Sequence, residues 1–144
     1  MSKDRNSILI VDDSDLNVAV LVDMLKHDFE LSVAKDGMEA IDVARSVIPD
    51  LILLDIVLPK MDGYEVIKIL KDDPSTSEIP IIFVTALSNV DNERKGLMLG
   101  ADDYIQKPYD PVSVKLRVAI QMRIVNQMRT IKLLSEEIAS WIKG

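Results

Sequence analysis

The sequence predicts an α/β fold built on a parallel sheet with helices on both faces. Five short apolar runs alternate with segments of helical period, and three of these runs are unbroken stretches rich in Ile, Leu and Val. Hydrophobic residues make up 48% of the 144 residues and aromatic residues only 4%, so the core is aliphatic. Continuous aliphatic runs are typical of strands covered on both faces, and β-α alternation indicates a parallel sheet.

The predicted strands are the five apolar runs, of which the last is weak: Ile8–Val11, Leu31–Ala34, Leu51–Leu54, Ile81–Val84 and Asp103–Ile105. Gly100 marks the end of the fourth helix, and Asp110 followed by Pro111 marks the start of the fifth. Five such units in about 110–120 residues match the flavodoxin-like doubly wound sheet, with strand order 2-1-3-4-5. In this arrangement a site forms at the carboxyl ends of the strands, near the switch point between strands one and three.

The chain from Val112 to Lys143 contains no Gly or Pro and predicts one helix much longer than the globular mean. Beyond Arg123 a heptad can be assigned in which five of six core positions are apolar: Ile124, Ile131 and Ile138 at a, and Gln127, Leu134 and Trp141 at d. We therefore expect a domain over residues 1–125 and a helical extension over residues 126–144 that pairs with a second copy. The alternative is a terminal helix packed on its own domain.

Composition excludes several classes of function. The net charge of −7 argues against nucleic acid or an anionic membrane as a direct partner. The absence of cysteine excludes disulfides, thiolate metal sites and cysteine nucleophiles. The longest apolar run, Leu51–Leu58, is too short to span a bilayer, and the first seven residues are polar. We expect a soluble, cytoplasmic protein.

Three acidic residues follow predicted strands that lie side by side. Asp12 and Asp13 end strand one, and Asp55 ends strand three. Two carboxylates about 4 Å apart repel by about 4 kcal/mol at an effective dielectric constant near 20, and a hard divalent cation offsets this. The cluster therefore predicts a Mg²⁺ or Mn²⁺ site. Asp12 and Asp13 alone could equally cap a helix, but an unpaired Asp55 beside so apolar a strand is costly.

Thr85 and Lys107 follow strands four and five, at the same edge of the sheet. Singly, the hydroxyl could cap the next segment and the ammonium could be a solvated loop charge. Together with the carboxylates they form a coherent set for phosphoryl transfer, in which positioning and charge neutralisation supply most of the catalysis.

Four motifs carry a resemblance to a known family: ILIVDDS (Ile8–Ser14), DLILLDIVLPKMDGYE (Asp50–Glu65), IPIIFVTAL (Ile79–Leu87) and GADDYIQKP (Gly100–Pro108). In this order and spacing they resemble the receiver domain of two-component response regulators, with its chemotaxis-regulator-like fold. The resemblance covers about residues 5–125. It implies a domain that takes a phosphoryl group from a histidine kinase or phosphotransfer protein, and that is no enzyme beyond its own phosphorylation and dephosphorylation.

The resemblance also implies a role for each site residue. Asp55 resembles the phosphoacceptor, and it shares the metal with Asp13 and with the backbone carbonyl of Val57. Asp12 resembles the residue that holds the metal through water.

Three further positions match the family's switch and cation. Thr85 and Tyr104 resemble the two residues that move after phosphorylation and change the face formed by the fourth helix and the fifth strand and helix. Lys107 resembles the cation that pairs with the phosphoryl oxygens, and Lys107–Pro108 resembles the family's cis peptide.

Two readings from other classes remain open. A metal-dependent aspartyl phosphatase or phosphotransferase also uses an Asp nucleophile, but enzymes of the haloacid-dehalogenase type carry a second Asp two residues on, where this chain has Val57. The other reading is a dimerisation module in which the receiver site is dormant. Since no output domain is recognisable, we expect one to be missing from this chain, of the kind found in cyclic di-GMP enzymes or hybrid kinases.

Overall fold

The computed structural model describes residues 5–87 and 89–143. The first residues of the predicted domain and the last residue of the predicted helical extension lie outside the described part. Strands and helices alternate five times along the chain. The strands are β1 (Ser7–Val11), β2 (Glu30–Ala34), β3 (Leu51–Leu54), β4 (Ile81–Thr85) and β5 (Asp103–Gln106). The helices are α1 (Asp15–Leu25), α2 (Gly37–Val47), α3 (Gly63–Asp72), α4 (Val90–Met98) and α5 (Pro111–Lys143).

All five strands form one parallel sheet in the order β2-β1-β3-β4-β5. The predicted fold class and strand order are therefore confirmed, and every predicted strand is correct to within one residue at each end. β5 gave the weakest pattern because only its two central residues, Tyr104 and Ile105, are buried.

The sheet is covered on both faces by aliphatic side chains. Along β3, Ile52 and Leu54 pack into the layer that contains α2 and α3. Leu51 and Leu53 pack into the opposite layer, which contains α1 and α5. All four are buried, because successive side chains of a strand point to opposite faces. This explains why the run is continuous rather than alternating.

Polar side chains fix where four of the helices begin. Each N-cap side chain accepts a hydrogen bond from the backbone amide three residues further on: Ser14, Asp36, Asp62 and Asn89. Such caps stabilise a helix by about 1 kcal/mol each. As predicted, α5 begins at Pro111, and the Asp110 carboxylate accepts from the Val112 amide at 3.3 Å.

The fifth helix runs for 33 residues and leaves the body of the domain. Its first turns bury Val114, Val118 and Met122 against the sheet. Further along, the side-chain amide of Asn126 lies 3.1 Å from that of Asn6, and the Arg129 guanidinium donates to the Asp50 carboxylate. Among the described residues, no helix is long and apolar enough to cross a membrane.

Candidate functional site

The three predicted carboxylates come together at the carboxyl edge of the sheet. β1 and β3 pair directly, with Val11 opposite Leu54, so the residues after them are neighbours. One oxygen each of Asp12, Asp13 and Asp55 lies within 4.8 Å of the other two. The structure thus produces the cluster that the sequence predicted.

The burial of this cluster fits a hard divalent cation. Asp12 and Asp55 are only 2% and 6% exposed, while Asp13 is open to solvent. Grouped carboxylates of this kind need a counter-charge, and oxygen ligands suit Mg²⁺ or Mn²⁺. Because Asp13 is exposed, a cation can reach the cluster from solvent. The identity of the metal remains a prediction.

Lys107 supplies positive charge to the cluster. Its ammonium lies 2.7 Å from Asp12 Oδ2 and 3.0 Å from Asp55 Oδ2. Burial lowers the pKa of this lysine, but the hydrogen bonds that it donates to Asp12 and Asp55 outweigh that effect, so the pKa is raised overall. The side chain is therefore charged at neutral pH. It partly offsets the repulsion between the two carboxylates.

Thr85 lies fully buried at the end of β4. Its hydroxyl oxygen accepts from the Leu87 amide at 3.4 Å, and its carbonyl accepts from the Lys107 amide at 2.8 Å. That second bond ties the end of β4 to the residue after β5. The Lys107–Pro108 peptide is cis, as the resemblance implied.

The loop after Asp55 is held close to the carboxylate. The Val57 amide donates to Asp55 Oδ1 at 3.1 Å, and the Gly63 amide donates to the Ile56 carbonyl at 2.8 Å. A Cβ at Gly63 would lie 2.5 Å from the carbonyl oxygen of Asp55, which explains the glycine. The side chain of Val57 is exposed.

Comparison with known sequences assigns the family. A profile of the response regulator receiver domain matches residues 8–119. The chain belongs to this family. This receiver is 40% identical over 126 residues to the response regulator PleD of Caulobacter vibrioides, which covers 85% of the chain and 28% of PleD.

Other relatives carry the receiver within longer proteins. Over 112 residues the chain is 44% identical to a probable cyclic di-GMP phosphodiesterase of Vibrio cholerae, a match that covers 78% of the chain and 25% of that protein. The chain thus spans about a quarter of the length of these two curated relatives.

Solved structures agree with the fold. A response regulator of Chloroflexus aurantiacus superposes with a TM-score of 0.79 at 32% identity, covering 83% of this receiver and 98% of that chain. The signal receiver domain of a histidine kinase of Syntrophus aciditrophicus gives 0.76 at 34% identity, covering 82% and 90%. The resemblance seen in the sequence is therefore confirmed.

Tyr104 of this receiver lies on β5 with its ring buried. Its hydroxyl donates to the Leu87 carbonyl at 2.6 Å, two residues beyond Thr85. Burial, with smaller contributions from nearby acidic groups, raises the pKa of Tyr104 to about 12. The two residues predicted to switch therefore contact one segment of backbone.

Tyr64 joins the same set, although the sequence gave no argument for a role. Its ring meets Phe83 edge-on at 5.8 Å, and Phe83 meets Tyr104 edge-on at 6.3 Å. The Tyr64 hydroxyl donates to the Asn92 carbonyl at 3.2 Å, and the Lys95 ammonium lies 4.3 Å from the ring centre. The three rings thus form a row from β5 to α3, and the Tyr64 hydroxyl connects that row to α4. The partner of the Tyr64 hydroxyl is visible only in three dimensions.

Proposed function

We propose that this receiver accepts a phosphoryl group on Asp55 from the phosphohistidine of a histidine kinase or phosphotransfer protein. In this reaction the P–N bond to the histidine breaks and a P–O bond to the Asp55 carboxylate forms. The convergence of Asp12, Asp13 and Asp55 with the ammonium of Lys107 carries the proposal. The chain acts on its own carboxylate and is not otherwise an enzyme.

The residues around Asp55 have different roles in this transfer. Asp13, Asp55 and the backbone carbonyl of Val57 would hold Mg²⁺, with Asp12 contributing through water. When bound, the ion supplies charge neutralisation and alignment of the incoming phosphate. Lys107 pairs with the phosphoryl oxygens, because the new group carries about −1.5 to −2 charge beside two remaining carboxylates.

The switch is the response of Thr85 and Tyr104 to that charge. Phosphorylation offers the Thr85 hydroxyl an acceptor for its proton. Turning toward that acceptor breaks the contact in which the Thr85 oxygen accepts from the Leu87 amide. Since Tyr104 donates to the Leu87 carbonyl, both contacts change together and bias α4, β5 and α5. Reversing a 1:99 equilibrium requires about 5.5 kcal/mol in favour of the active state.

The signal passes to an output domain that lies outside this chain. The curated relatives include a response regulator and a probable cyclic di-GMP phosphodiesterase in which the matching segment is about a quarter of the protein. We infer a cyclic di-GMP enzyme or a hybrid kinase as the output, since the similar proteins include a probable cyclic di-GMP phosphodiesterase and the receiver domain of a histidine kinase. We further propose that the chain is cytoplasmic and, given its net charge of −7, that neither nucleic acid nor a membrane is a direct partner.

The helical extension over residues 126–144 supports a homodimer. Ile131, Leu134 and Ile138 are exposed along one side of α5, at the spacing of a coiled-coil seam. Sedimentation of the chain with and without this extension tests the dimer. Equal monomeric masses would exclude it.

The phosphorylation proposal is tested by adding Mg²⁺ and acetyl phosphate, or beryllofluoride, to the purified chain. Intact mass and peptide mapping should find one phosphate, or one beryllofluoride group by fluorine NMR, at Asp55. Asp55→Asn should lose the adduct, while Asp28→Asn, which changes an exposed acid before β2, should keep it. No adduct in the wild type supports a dormant site. Rapid multiple turnover of phosphodonor that Asp55→Asn abolishes supports the aspartyl phosphatase.

A further inference from the structure

Helix α4 is held to the receiver by few buried contacts. Gly96 is the one buried residue among its nine. Tyr64 of α3 supplies two of the contacts that hold the helix. Its hydroxyl donates to the Asn92 carbonyl at 3.2 Å, and its ring centre lies 4.3 Å from the Lys95 ammonium. Elements with so little buried surface belong to the least stable part of a fold, and moving elements are drawn from that part.

Tyr64 itself is fixed in the core, next to the proposed phosphoacceptor. It is the second residue of α3 and is only 7% exposed. Its ring packs edge-on against Phe83 of β4. The residue before it, Gly63, donates its amide to the carbonyl of Ile56, which directly follows Asp55. Tyr64 therefore connects the loop after Asp55, through its backbone, to α4, through its side chain.

The backbone of α4 lies directly on the other two rings of the row. A Cβ added at Gly96 would lie 2.9 Å from the Phe83 ring and 3.5 Å from the Tyr104 ring. Tyr104 also donates to the carbonyl of Leu87, two residues before Asn89, the N-cap residue of α4. A shift of the Tyr104 ring therefore reaches α4 both through the segment before the helix and through the ring beneath it.

The contacts of Tyr64 belong to one arrangement of the switch. In the structure Thr85 accepts from the Leu87 amide, and we call this the resting arrangement. Because Tyr64 is fixed on α3, a displacement of α4 by about 1 Å breaks the bond to Asn92 and moves the Lys95 ammonium away from the ring. A contact made in only one of two states favours that state. The Tyr64 contacts therefore favour the resting arrangement.

We propose that Tyr64 is a positioning residue of the switch, which holds α4 in the resting arrangement and releases it when Asp55 is phosphorylated. The inference rests on the proposed phosphorylation of Asp55 and deepens it. It adds a second connection from Asp55 to α4, through α3, beside the one through Thr85 and Tyr104. It also gives Tyr64 a negative effect, because holding α4 lowers the affinity of the site for a phosphoryl group.

Beryllofluoride affinity distinguishes this role from a purely structural one. By linkage, a contact made only in the resting arrangement weakens binding of any group that favours the other arrangement. Tyr64→Phe keeps the ring and removes the hydroxyl, so it should bind beryllofluoride about three- to tenfold more tightly than the wild type. Fluorine NMR titration in Mg²⁺ measures this. A tyrosine that only stabilises the fold would lower the free energy of unfolding without tightening this binding.

Lys95→Met removes the other contact and should tighten binding about two- to fivefold. Arg94→Met is the matched control, because Arg94 is exposed on the same helix and its loss changes the charge equally. It should bind as the wild type does. If Tyr64→Phe does not fold, the comparison of these two variants decides alone, and equal affinities count against the inference.

Amide hydrogen exchange in α4 provides the second measurement. Beryllofluoride should speed exchange over this helix in the wild type, and Tyr64→Phe should show faster exchange there without it. Unchanged or weaker beryllofluoride binding by a folded Tyr64→Phe, or exchange in α4 equal to that of the wild type, overturns the inference while phosphorylation of Asp55 stands. A wild type that binds no beryllofluoride at Asp55 overturns both.

Discussion

The guanidinium of Arg129 donates to the carboxylate of Asp50, which lies 79 residues earlier in the chain. Asp50 also accepts from the Ser7 amide at 2.8 Å and from the Asn6 side chain at 3.3 Å. It directly precedes β3, and Asp55 directly follows that strand. The strand that carries the proposed phosphoacceptor at one end thus holds the helical extension at the other.

Arg129→Ala should release the first turn of the extension from the sheet. We expect faster amide hydrogen exchange over residues 126–130 and a loss of about 0.5–1 kcal/mol in the free energy of unfolding, since the arginine is largely exposed. Exchange near Asp55 should stay as in the wild type. Arg123→Ala, an exposed arginine on the same helix, is the control. Unchanged exchange in Arg129→Ala would mean that the ion pair does not hold the helix.

The fold and the carboxylate cluster could be predicted because both follow local rules. Continuous runs such as Leu51–Leu54 identify buried parallel strands, and the topology then brings the residues after β1 and β3 together. The position of Lys107 at the end of β5 placed its charge at the same edge. Each of these steps depends only on strand order.

Contacts between distant surface residues could not be predicted in this way. Nothing in the pattern around Asp50 or Arg129 distinguishes them from other solvated charges. The same holds for the Tyr64 hydroxyl, whose acceptor belongs to a helix 28 residues further along the chain. Side-chain pairs of this kind depend on the final packing of elements, so no sequence period marks them.

Lys107→Met should make the receiver depend more strongly on divalent cations. Without the ammonium, Asp12 and Asp55 lose a shared partner, and we expect the free energy of unfolding in EDTA to fall by about 1–3 kcal/mol. Mg²⁺ should bind about tenfold more tightly, because no lysine competes for the carboxylates. Calorimetric titration and urea denaturation measure the two effects. The exposed Lys115→Met is the control, and equal Mg²⁺ affinity in all three proteins would contradict the competition.

Gly63→Ala should disrupt the loop that follows Asp55. The added Cβ would lie 2.5 Å from the Asp55 carbonyl oxygen and 2.7 Å from the Ile56 Cα, and backbone atoms cannot turn aside. We expect beryllofluoride binding at Asp55 to be lost or weakened more than tenfold. Gly96→Ala is the matched control, since its Cβ first meets the Phe83 ring at 2.9 Å and strains side-chain packing under α4 rather than the loop after Asp55. Binding by both variants with wild-type affinity would show that this close approach is not needed.

Alkaline pH should destabilise the receiver through its tyrosines. Burial raises the pKa of Tyr104 to about 12, against about 10 in the unfolded chain. Because the folded state favours the protonated phenol, this stabilisation is complete below about pH 10. It is lost between about pH 10 and 12, at about 1.4 kcal/mol per pH unit for one tyrosine.

Tyr104→Phe separates this contribution from the others. It should cost about 1 kcal/mol at pH 8, where the hydrogen bond to the Leu87 carbonyl is lost. Its free energy of unfolding should then fall less steeply than that of the wild type above pH 10. Some slope remains, because burial also raises the pKa of Tyr64 and Tyr109. Urea denaturation between pH 8 and 11 measures both curves, and parallel curves would show that Tyr104 ionises equally easily in the folded and unfolded states.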